Sequence, residues 1–271
     1  LQKALNEDSE TVDIHHAGTA MRFLTSFYAI QEGRKTILTG SERMKQRPIK
    51  PLVDALRELG AEINYLENEG FPPLEIHGKK IEKNFVKIPA NISSQFITSL
   101  LLIGASLENG LEIELQGEIT SRSYIKMTLK ILKDIGVETR FEGNTIKILS
   151  AASSLSNQKL DRHYHSSKIK HYTVESDWSS ASYFYSLVAI GKKKMHLKSF
   201  YAHSLQGDSA LKEIYLKFFG VNTISDAGEN KITLLPDTHF QYPEKFVLDM
   251  NDCPDIAQTV CVTCVALKLP F

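Results

Sequence analysis

Side chains suited to binding an anion occupy two kinds of position in this chain. Gly18 and Arg22 lie at the start of an apolar helical run, and Arg47 lies in a polar loop before a second helical run. Glycine lets an anion approach the backbone, arginine offers a planar fork of donors, and a helix amino terminus adds free amides. These residue types predict a site for phosphate or carboxylate.

The same two kinds of position recur along the chain with other polar residues. Ser93-Ser94-Gln95 and Asp177 precede later apolar runs, Ser121 and Tyr124 lie in a second polar loop, and Asp255 precedes the last apolar run. Each residue alone also has a plainer interpretation. Serine, threonine and aspartate at these places are typical helix caps. The residues to which this applies are Thr19, Ser93, Ser94 and Asp255.

The positions recur because the chain repeats a unit of about 80 residues, which is longer than a solenoid repeat. Three copies are predicted, each with the order helix, strand, helix, strand, strand, and a fourth copy begins near the end. The first helices carry Thr25-Ser26, Thr98-Ser99 and Tyr185-Ser186, and the second helices end at Gly60, Gly136 and Gly220. A small α/β unit copied several times fits this pattern.

Local signals place the elements of each copy. In the second copy we expect a helix over 96–107 capped by Ser93 or Ser94, a strand over 111–115, a helix over 124–135 and a hairpin over 137–149. In the first copy, Pro48 is expected in the first turn of a helix that runs to Leu59.

A polar stretch, 151–171, separates the second copy from the third and predicts an exposed connection. We therefore expect a first domain over 1–173 and a second over 174–271. His163, His165 and His171 lie in the connection without cysteine or carboxylate partners at ligand spacing, so no metal site is predicted and no cofactor is expected. The Cys261-x-x-Cys264 pair lies in an apolar run and predicts buried thiols rather than a redox pair.

Overall composition narrows the classes of function. Lys plus Arg and Asp plus Glu number 32 each in 271 residues, so no net charge attracts nucleic acid or an acidic membrane. The apolar stretches are too short or interrupted to span a bilayer. We expect a cytoplasmic monomer without nucleic-acid or membrane partners. Because the chain opens on Leu1 and its fourth copy stops after one helix, we also expect a piece of a longer protein.

Taken together, the motifs resemble the 5-enolpyruvylshikimate-3-phosphate synthase family, in family order and over almost the whole chain outside the connection. The resemblance rests on the following segments: Ala17-Gly-Thr-Ala-Met-Arg22, Arg43-Met-Lys-Gln-Arg-Pro-Ile49, Leu52-Val-Asp-Ala-Leu56, Ser93-Ser-Gln-Phe96, Ser121 with Tyr124, Val174-Glu-Ser-Asp-Trp-Ser-Ser-Ala-Ser-Tyr-Phe184, Gln206-Gly-Asp208 and Pro254-Asp255.

This resemblance implies a fold and an activity. The fold is the two-domain enolpyruvyl transferase fold, an inside-out α/β barrel built from repeated small α/β units and incomplete here, with ligands held between the domains. The activity is transfer of the enolpyruvyl (carboxyvinyl) group of phosphoenolpyruvate to the 5-hydroxyl of shikimate 3-phosphate, with release of phosphate. That step belongs to the shikimate pathway of chorismate and aromatic amino acid biosynthesis and is the target of glyphosate.

The resemblance also implies residue roles. Shikimate 3-phosphate is held by Ser93, Ser94, Gln95, Ser121, Tyr124 and Asp255. Phosphoenolpyruvate meets Gly18, Arg47 and Gln95. Thr19, Arg22 and Asp177 support these sites, and Asp255 is the catalytic carboxylate that takes the proton of the attacking hydroxyl.

Two departures qualify these roles. His16 stands where the family often has asparagine, and the family's amino-terminal Lys-Ser motif and carboxy-terminal Arg, His and Lys groups have no counterpart. We therefore expect negligible turnover from this chain alone. The alternatives are a UDP-N-acetylglucosamine enolpyruvyl transferase, whose characteristic loop cysteine is absent from 41–47, and a catalytically silent binding protein on the same scaffold. A third alternative is an RNA-end-processing repeat protein. Such a protein needs a basic surface to bind RNA, and the balanced charge of this chain gives little support for one.

Overall fold

The computed structural model describes residue 5 and residues 9–150, 173–245 and 247–270. The predicted connection 151–171, with its three histidines, lies outside these described residues. Elsewhere the chain alternates helices and strands, so the predicted α/β class is confirmed. Among the described residues, no helix has both the length and the apolar character needed to cross a membrane.

The first copy forms a four-stranded sheet with the order β1-β2-β4-β3. Its strands are β1 (Thr11–Asp13), β2 (Lys35–Thr39), β3 (Glu62–Tyr65) and β4 (Leu74–His77), and its helices are α1 (Gly18–Ala29), the short α2 (Glu42–Lys45) and α3 (Lys50–Leu59). Strands β1 and β2 are parallel, whereas β2, β4 and β3 pair antiparallel. Helix α1 therefore connects two parallel neighbours.

The second copy repeats this topology strand for strand, with the order β5-β6-β8-β7. The strands are β5 (Phe85–Pro89), β6 (Leu111–Gln116), β7 (Thr139–Glu142) and β8 (Thr145–Ile148), and the helices are α4 (Ser94–Gly104) and α5 (Arg122–Asp134). Again the first pair is parallel and the others are antiparallel. Val86, Ile88, Ile113 and Ile146 are buried, which gives the alternating pattern of a sheet with one covered face.

The third copy gives a three-stranded sheet with the order β10-β11-β9 in the part of the chain that is described. Its elements are α6 (Trp178–Gly191), β9 (Met195–Lys198), a 3₁₀ turn (Gly207–Ala210), α7 (Leu211–Phe219), β10 (Val221–Asp226) and β11 (Lys231–Pro236). A second 3₁₀ turn (Pro254–Ile256) and α8 (Ala257–Ala266) begin the fourth copy. Trp178, Tyr185, Tyr215 and Phe219 form the centre of the core here.

One backbone hydrogen bond marks the same point in all three copies. The amides of Ile14, Ala90 and Ser176 donate to the carbonyls at Thr39, Gln116 and Ser199, at 3.0, 2.8 and 2.6 Å. In the first two copies this bond follows the parallel edge strand. Residues 173–175 therefore occupy the equivalent place in the third copy.

The repeated hydroxyls noticed in the sequence lie where equivalent first helices cross. The Ser26 and Ser99 hydroxyls are 2.6 Å apart, and Ser99 also donates to the Arg22 carbonyl at 2.8 Å. In the third and fourth copies, Thr263 donates to Ser186 at 2.9 Å. All of these hydroxyls are buried. Small polar residues allow the helices to approach while their hydroxyls satisfy one another.

The predicted element order is confirmed in each copy, with differences at the ends. The edge strands β1 and β5 are not among the predicted elements, and β1 has only three residues. Pro51 rather than Pro48 lies in the first turn of α3, so that prediction is wrong. Gly60, Gly136 and Gly220 adopt the left-handed conformation expected at helix ends. Cys264 is buried as expected, whereas Cys261 is exposed.

The chain divides into two compact units. Unit 1 comprises Leu1–Thr120 and Thr128–Ile169, and unit 2 comprises Ser121–Met127 and Lys170–Phe271. The first residues of helix α5, up to Met127, are therefore assigned to unit 2, and the residues from Thr128 onward are assigned to unit 1. The domain boundary predicted near residue 173 stays a prediction.

Candidate functional site

The topology explains why a helix start and a polar loop meet in the first two copies. Two parallel neighbouring strands end at the same edge of a sheet. The turn from β1 into α1 and the loop after β2 therefore lie side by side, as do the turn from β5 into α4 and the loop after β6. Thr120, in that second loop, donates its amide to the Ala90 carbonyl at 3.4 Å. Polar residues that are distant in sequence are brought together at these edges.

In unit 1 this edge carries what we call the arginine pocket, formed by Gly18, Arg22 and Arg47. A Cβ atom built on Gly18 would lie 2.1 Å from an Arg47 guanidinium nitrogen and 2.9 Å from one of Arg22. The absence of a side chain at Gly18 therefore lets two guanidinium groups converge on the first turn of α1. Arg22 donates to the Gly18 carbonyl at 2.8 Å, which fixes its orientation.

The arginine pocket concentrates positive charge, and the described residues supply no counter-ion to it. Arg22 is buried, and burial lowers its pKa, with the positive charge of Arg47 lowering it further. Its Nε atom has no hydrogen-bond partner among the described residues. No carboxylate in that part of the chain pairs with Arg22 or Arg47. Two like charges held together in this way favour an anion between them.

Neighbouring residues complete the surroundings of the pocket. His16 Nδ1 lies 2.7 Å from the Ser41 hydroxyl, which joins the turn before α1 to the loop that leads to Arg47. The Arg22 guanidinium carbon lies 5.3 Å from the centre of the Phe96 ring on α4. Gln95 directly precedes this ring, so the start of α4 lies beside the arginine pocket.

The start of α4 is capped as the sequence predicts. Ser93 is the N-cap, and its hydroxyl accepts a hydrogen bond from the Gln95 amide at 3.4 Å. Ser94 and Gln95 are partly exposed in the first turn. Thr19 does not cap α1, because the N-cap is Ala17 and no side chain bonds the first amides. The amino terminus of α1 therefore keeps amides that a ligand can use.

In unit 2 the equivalent edge carries carboxylates. Asp177 caps α6 by accepting from the amides of Ser179 and Ser180, each at 3.1 Å. Burial alone would raise the pKa of Asp177, but these bonds, led by those from Ser180, hold it below its usual value. The side-chain oxygen of Gln206 accepts a hydrogen bond from the Trp178 amide at 2.9 Å. This bond links the loop before α7 to the start of α6.

Around this edge lies what we call the aspartate cluster, formed by Tyr124, Asp177, Asp208 and Asp255. The Tyr124 hydroxyl donates to Asp255 Oδ2 at 2.7 Å. Burial raises the pKa of Tyr124, and the bond to Asp255 and the charge of Asp208 raise it further, so the phenol remains a donor. Asp255 itself is exposed, and its carboxylate is accessible to a ligand.

Backbone contacts hold the cluster together. Ser121 has a left-handed backbone with φ of 53° and donates its amide to the Asn251 carbonyl at 3.2 Å. Ser123 donates its hydroxyl to the Asp252 carbonyl at 2.7 Å. Asp255 was expected either as a ligand or as an N-cap, and the cap interpretation is wrong, since Cys253 is the N-cap of the 3₁₀ turn.

The predicted site residues thus fall into two groups. Unit 1 holds Gly18, Thr19, Arg22, Arg47, Ser93, Ser94 and Gln95, and unit 2 holds Ser121, Tyr124, Asp177 and Asp255. Asp208 is a member of the aspartate cluster to which the sequence motifs assign no role. Its signal was present, because Gln206-Gly-Asp208 occupies the third polar loop of the repeat.

A large groove in unit 1 lies away from these residues. It has a volume of about 670 Å³ and is lined mainly by apolar side chains, including Phe23 and Phe27 of α1 and Leu102 of α4. None of the predicted site residues lines it. Its size alone does not make it the candidate site. Within the described residues, no three His, Cys, Asp or Glu side chains are arranged to hold a metal ion.

Fold and geometry define an α/β repeat protein in which one unit carries the arginine pocket and the other carries the aspartate cluster. Residues 1–270 match the family model described as EPSP synthase (3-phosphoshikimate 1-carboxyvinyltransferase), and the chain belongs to this family.

Relatives and solved structures agree with the family match. A 3-phosphoshikimate 1-carboxyvinyltransferase of Bacteroides fragilis is 44% identical over 99% of this chain and 61% of its own length. One of Haemophilus influenzae is 39% identical over 95% of this chain and 56% of its own length. The chain therefore spans less than two thirds of the curated relatives it matches. A solved EPSP synthase from Acinetobacter baumannii superposes with a TM-score of 0.64, at 19% identity, over 94% of this chain and 54% of that one, which shows the same fold.

Proposed function

We propose that this chain supplies part of the active site of a 3-phosphoshikimate 1-carboxyvinyltransferase. The observation that carries the proposal is the arginine pocket, where Arg22 and Arg47 converge over Gly18 without a carboxylate partner among the described residues. A phosphate or carboxylate is the complement of such a site. Both groups are present in phosphoenolpyruvate.

The residues of unit 1 are assigned to the two anionic substrates. Gly18, Arg47 and Gln95 bind phosphoenolpyruvate, with Arg22 holding the pocket positive from its buried position. Ser93, Ser94 and Gln95 bind shikimate 3-phosphate. The first turn of α4 supports this assignment, since its hydroxyls and free amides are suited to phosphate oxygens.

The residues of unit 2 are assigned to the hydroxylated part of shikimate 3-phosphate. Ser121 and Tyr124 bind the acceptor, and Asp255 takes the proton of its 5-hydroxyl as the oxygen attacks C2 of phosphoenolpyruvate. The enolpyruvyl methylene gains a proton in the same addition, and loss of phosphate with loss of that carbon's proton restores the double bond. Tyr124 supports the assignment because its donation holds Asp255 in place.

Binding is the appropriate test, because the chain spans 61% of a relative's length. Calorimetric titration with shikimate 3-phosphate should give saturable binding to the wild-type protein. Replacing Ser93→Ala together with Gln95→Ala should abolish it. The matched control, Gln31→Ala with Ser106→Ala, changes polar residues of the large groove in unit 1 and should bind normally. Unchanged affinity in the first double variant would reject the assignment.

The same titration separates the alternatives. UDP-N-acetylglucosamine should give no binding heat, and saturable binding of it would favour the alternative transferase. The distinction between the two transferases depends on residues in the segments 41–47 and 93–95.

The same proposal includes a monomeric cytoplasmic protein. Sedimentation equilibrium tests whether the protein is a monomer.

A further inference from the structure

The most unusual buried group outside the assigned site residues is the carboxyl group of Asp208. Its side chain is 2% exposed, and its Oδ1 atom has no hydrogen-bond partner among the residues that the structure describes. The other oxygen, Oδ2, accepts a short bond from the Ser179 hydroxyl. A buried polar atom without a partner costs free energy. The stability of the fold alone therefore gives no reason to retain a carboxyl group at this position.

The position of Asp208 is fixed by close backbone packing. A Cβ atom on the preceding Gly207 would lie 2.6 Å from the Asp252 carbonyl oxygen and 2.4 Å from the Ser123 hydroxyl. The turn that carries Asp208 is thereby pressed against the segments that carry Tyr124 and Asp255. Ser179, the partner of Asp208, belongs to the first turn of α6, so the carboxyl group links that helix to the same place.

We propose that Asp208 is a positioning residue for Asp255: it fixes the turn 206–208 between α6 and the segment 251–255, and so holds Asp255 where Tyr124 donates to it. The inference rests on the proposed function, because it gives Asp208 a role in holding the assigned base. Asp208 need not touch the substrate. It acts through the packing and charge of the aspartate cluster.

The electrostatic surroundings agree with this role. Burial raises the pKa of Asp208, the bond from Ser179 opposes that rise, and the charges of Asp255 and Asp177 add to it. Burial likewise raises the pKa of the neighbouring Cys253 thiol to about 11, with Asp208 contributing. Basic groups on adjoining segments are Arg122 and Lys212, and the Lys212 ammonium donates to the Ala202 carbonyl. The protonated carboxyl group of Asp208 is therefore the form that the cluster accommodates more easily.

Two substitutions separate charge from packing. Asp208→Asn keeps the shape of the protonated carboxyl group, and Asp208→Leu removes its polar atoms. We expect the asparagine variant to bind shikimate 3-phosphate within about threefold of wild type, and the leucine variant to bind at least about tenfold more weakly. The matched control is Asp226→Leu, at the exposed end of the hairpin β10–β11. Near-ultraviolet circular dichroism checks that each variant is folded.

A pH series gives a readout that a merely structural role would not move. As Asp208 ionises with rising pH, it adds negative charge beside Asp255 and against an anionic ligand. The ratio of the wild-type to the Asp208→Asn dissociation constant should therefore increase between pH 4.5 and pH 8. Effects of the ligand's own phosphate cancel in this ratio.

The outcomes are distinct. If wild-type protein does not bind shikimate 3-phosphate, the proposed function fails. If it binds and the folded leucine variant binds equally well, or if the ratio of dissociation constants is constant with pH, the role of Asp208 is rejected. Should the leucine variant not fold, Ser179→Ala removes the partner of Oδ2 and should weaken binding about threefold or more. Wild-type affinity in that variant would equally overturn the inference.

Discussion

The arginine pocket and the aspartate cluster occupy equivalent places in the repeat, yet they gather opposite charges. In unit 1 the helix start and the polar loop bring Arg22 and Arg47 over Gly18. In unit 2 the corresponding segments bring Asp177 and Asp208 together, beside the Tyr124–Asp255 pair. Each copy thus fixes where polar groups meet, and the residues placed there decide what they bind.

The two regions also share an energetic feature. Arg22 Nε and Asp208 Oδ1 are both buried atoms without hydrogen-bond partners within the described residues. Each lies among like charges, which lower the pKa of Arg22 and raise that of Asp208 after the larger effect of burial. Groups held at a cost to stability are expected at functional sites. The comparison therefore predicts that substitutions in the two regions alter different ligands.

The largest effect is expected from Arg47→Met. Loss of charged hydrogen bonds worth about 1.5–3 kcal/mol should weaken phosphoenolpyruvate binding about 10- to 100-fold. Calorimetry in the presence of shikimate 3-phosphate measures this. The control is Arg43→Met, which removes an exposed arginine of the same segment. Equal losses in the two variants would mean that only general positive charge matters.

A smaller loss is expected from Gly18→Ala. The added methyl group must displace the Arg47 guanidinium, whose nearest nitrogen would lie 2.1 Å away. We expect phosphoenolpyruvate to bind on the order of tenfold more weakly, with little change in stability. Gly191→Ala is the matched control, because a Cβ atom there meets open space. Normal affinity in the Gly18 variant would show that the close approach is not used.

On the acidic side, Tyr124→Phe removes the hydroxyl that donates to Asp255 at 2.7 Å. A bond worth about 0.5–1.5 kcal/mol predicts a loss of about 3- to 10-fold in affinity for shikimate 3-phosphate. Tyr201→Phe serves as the control, since its exposed hydroxyl donates to the Thr173 carbonyl. If Tyr201→Phe loses as much affinity for shikimate 3-phosphate as Tyr124→Phe does, the hydroxyl of Tyr124 has no specific role in binding.

The smallest effect concerns stability and pH. The pKa of Asp208 is raised in the folded protein, so folding takes up a proton and the contribution of this group to stability is lost as pH rises through the folded pKa. Asp208→Asn removes this loss, and its melting temperature should exceed that of wild type by a few degrees near neutral pH but not near pH 4. Calorimetric melting at both pH values tests this. A difference that does not change with pH would contradict it.

The sequence predicts the repeat well, because apolar spacing and the glycines Gly60, Gly136 and Gly220 are local signals. It predicts Ser93 as a cap for the same reason. It does not reveal the short edge strand β1, whose pairing with β2 depends on contacts across the chain.

The arginine pocket and the aspartate cluster are likewise only partly predictable from the sequence. Residue type and resemblance both point to Arg47, but the convergence of Arg47 with Arg22 over Gly18 depends on tertiary contacts that spacing in the sequence does not show. The segment Gln206-Gly-Asp208 belongs to the resemblance, but the sequence assigns no role to Asp208, because it is burial rather than residue type that makes this carboxyl group unusual.

The most direct test of whether the two regions bind different ligands is a cross-titration of Arg47→Met and Tyr124→Phe with both ligands. We expect Arg47→Met to weaken chiefly phosphoenolpyruvate binding, and Tyr124→Phe to weaken chiefly shikimate 3-phosphate binding. If both variants weaken both ligands equally, or neither variant changes either affinity, the division of labour between the arginine pocket and the aspartate cluster is contradicted.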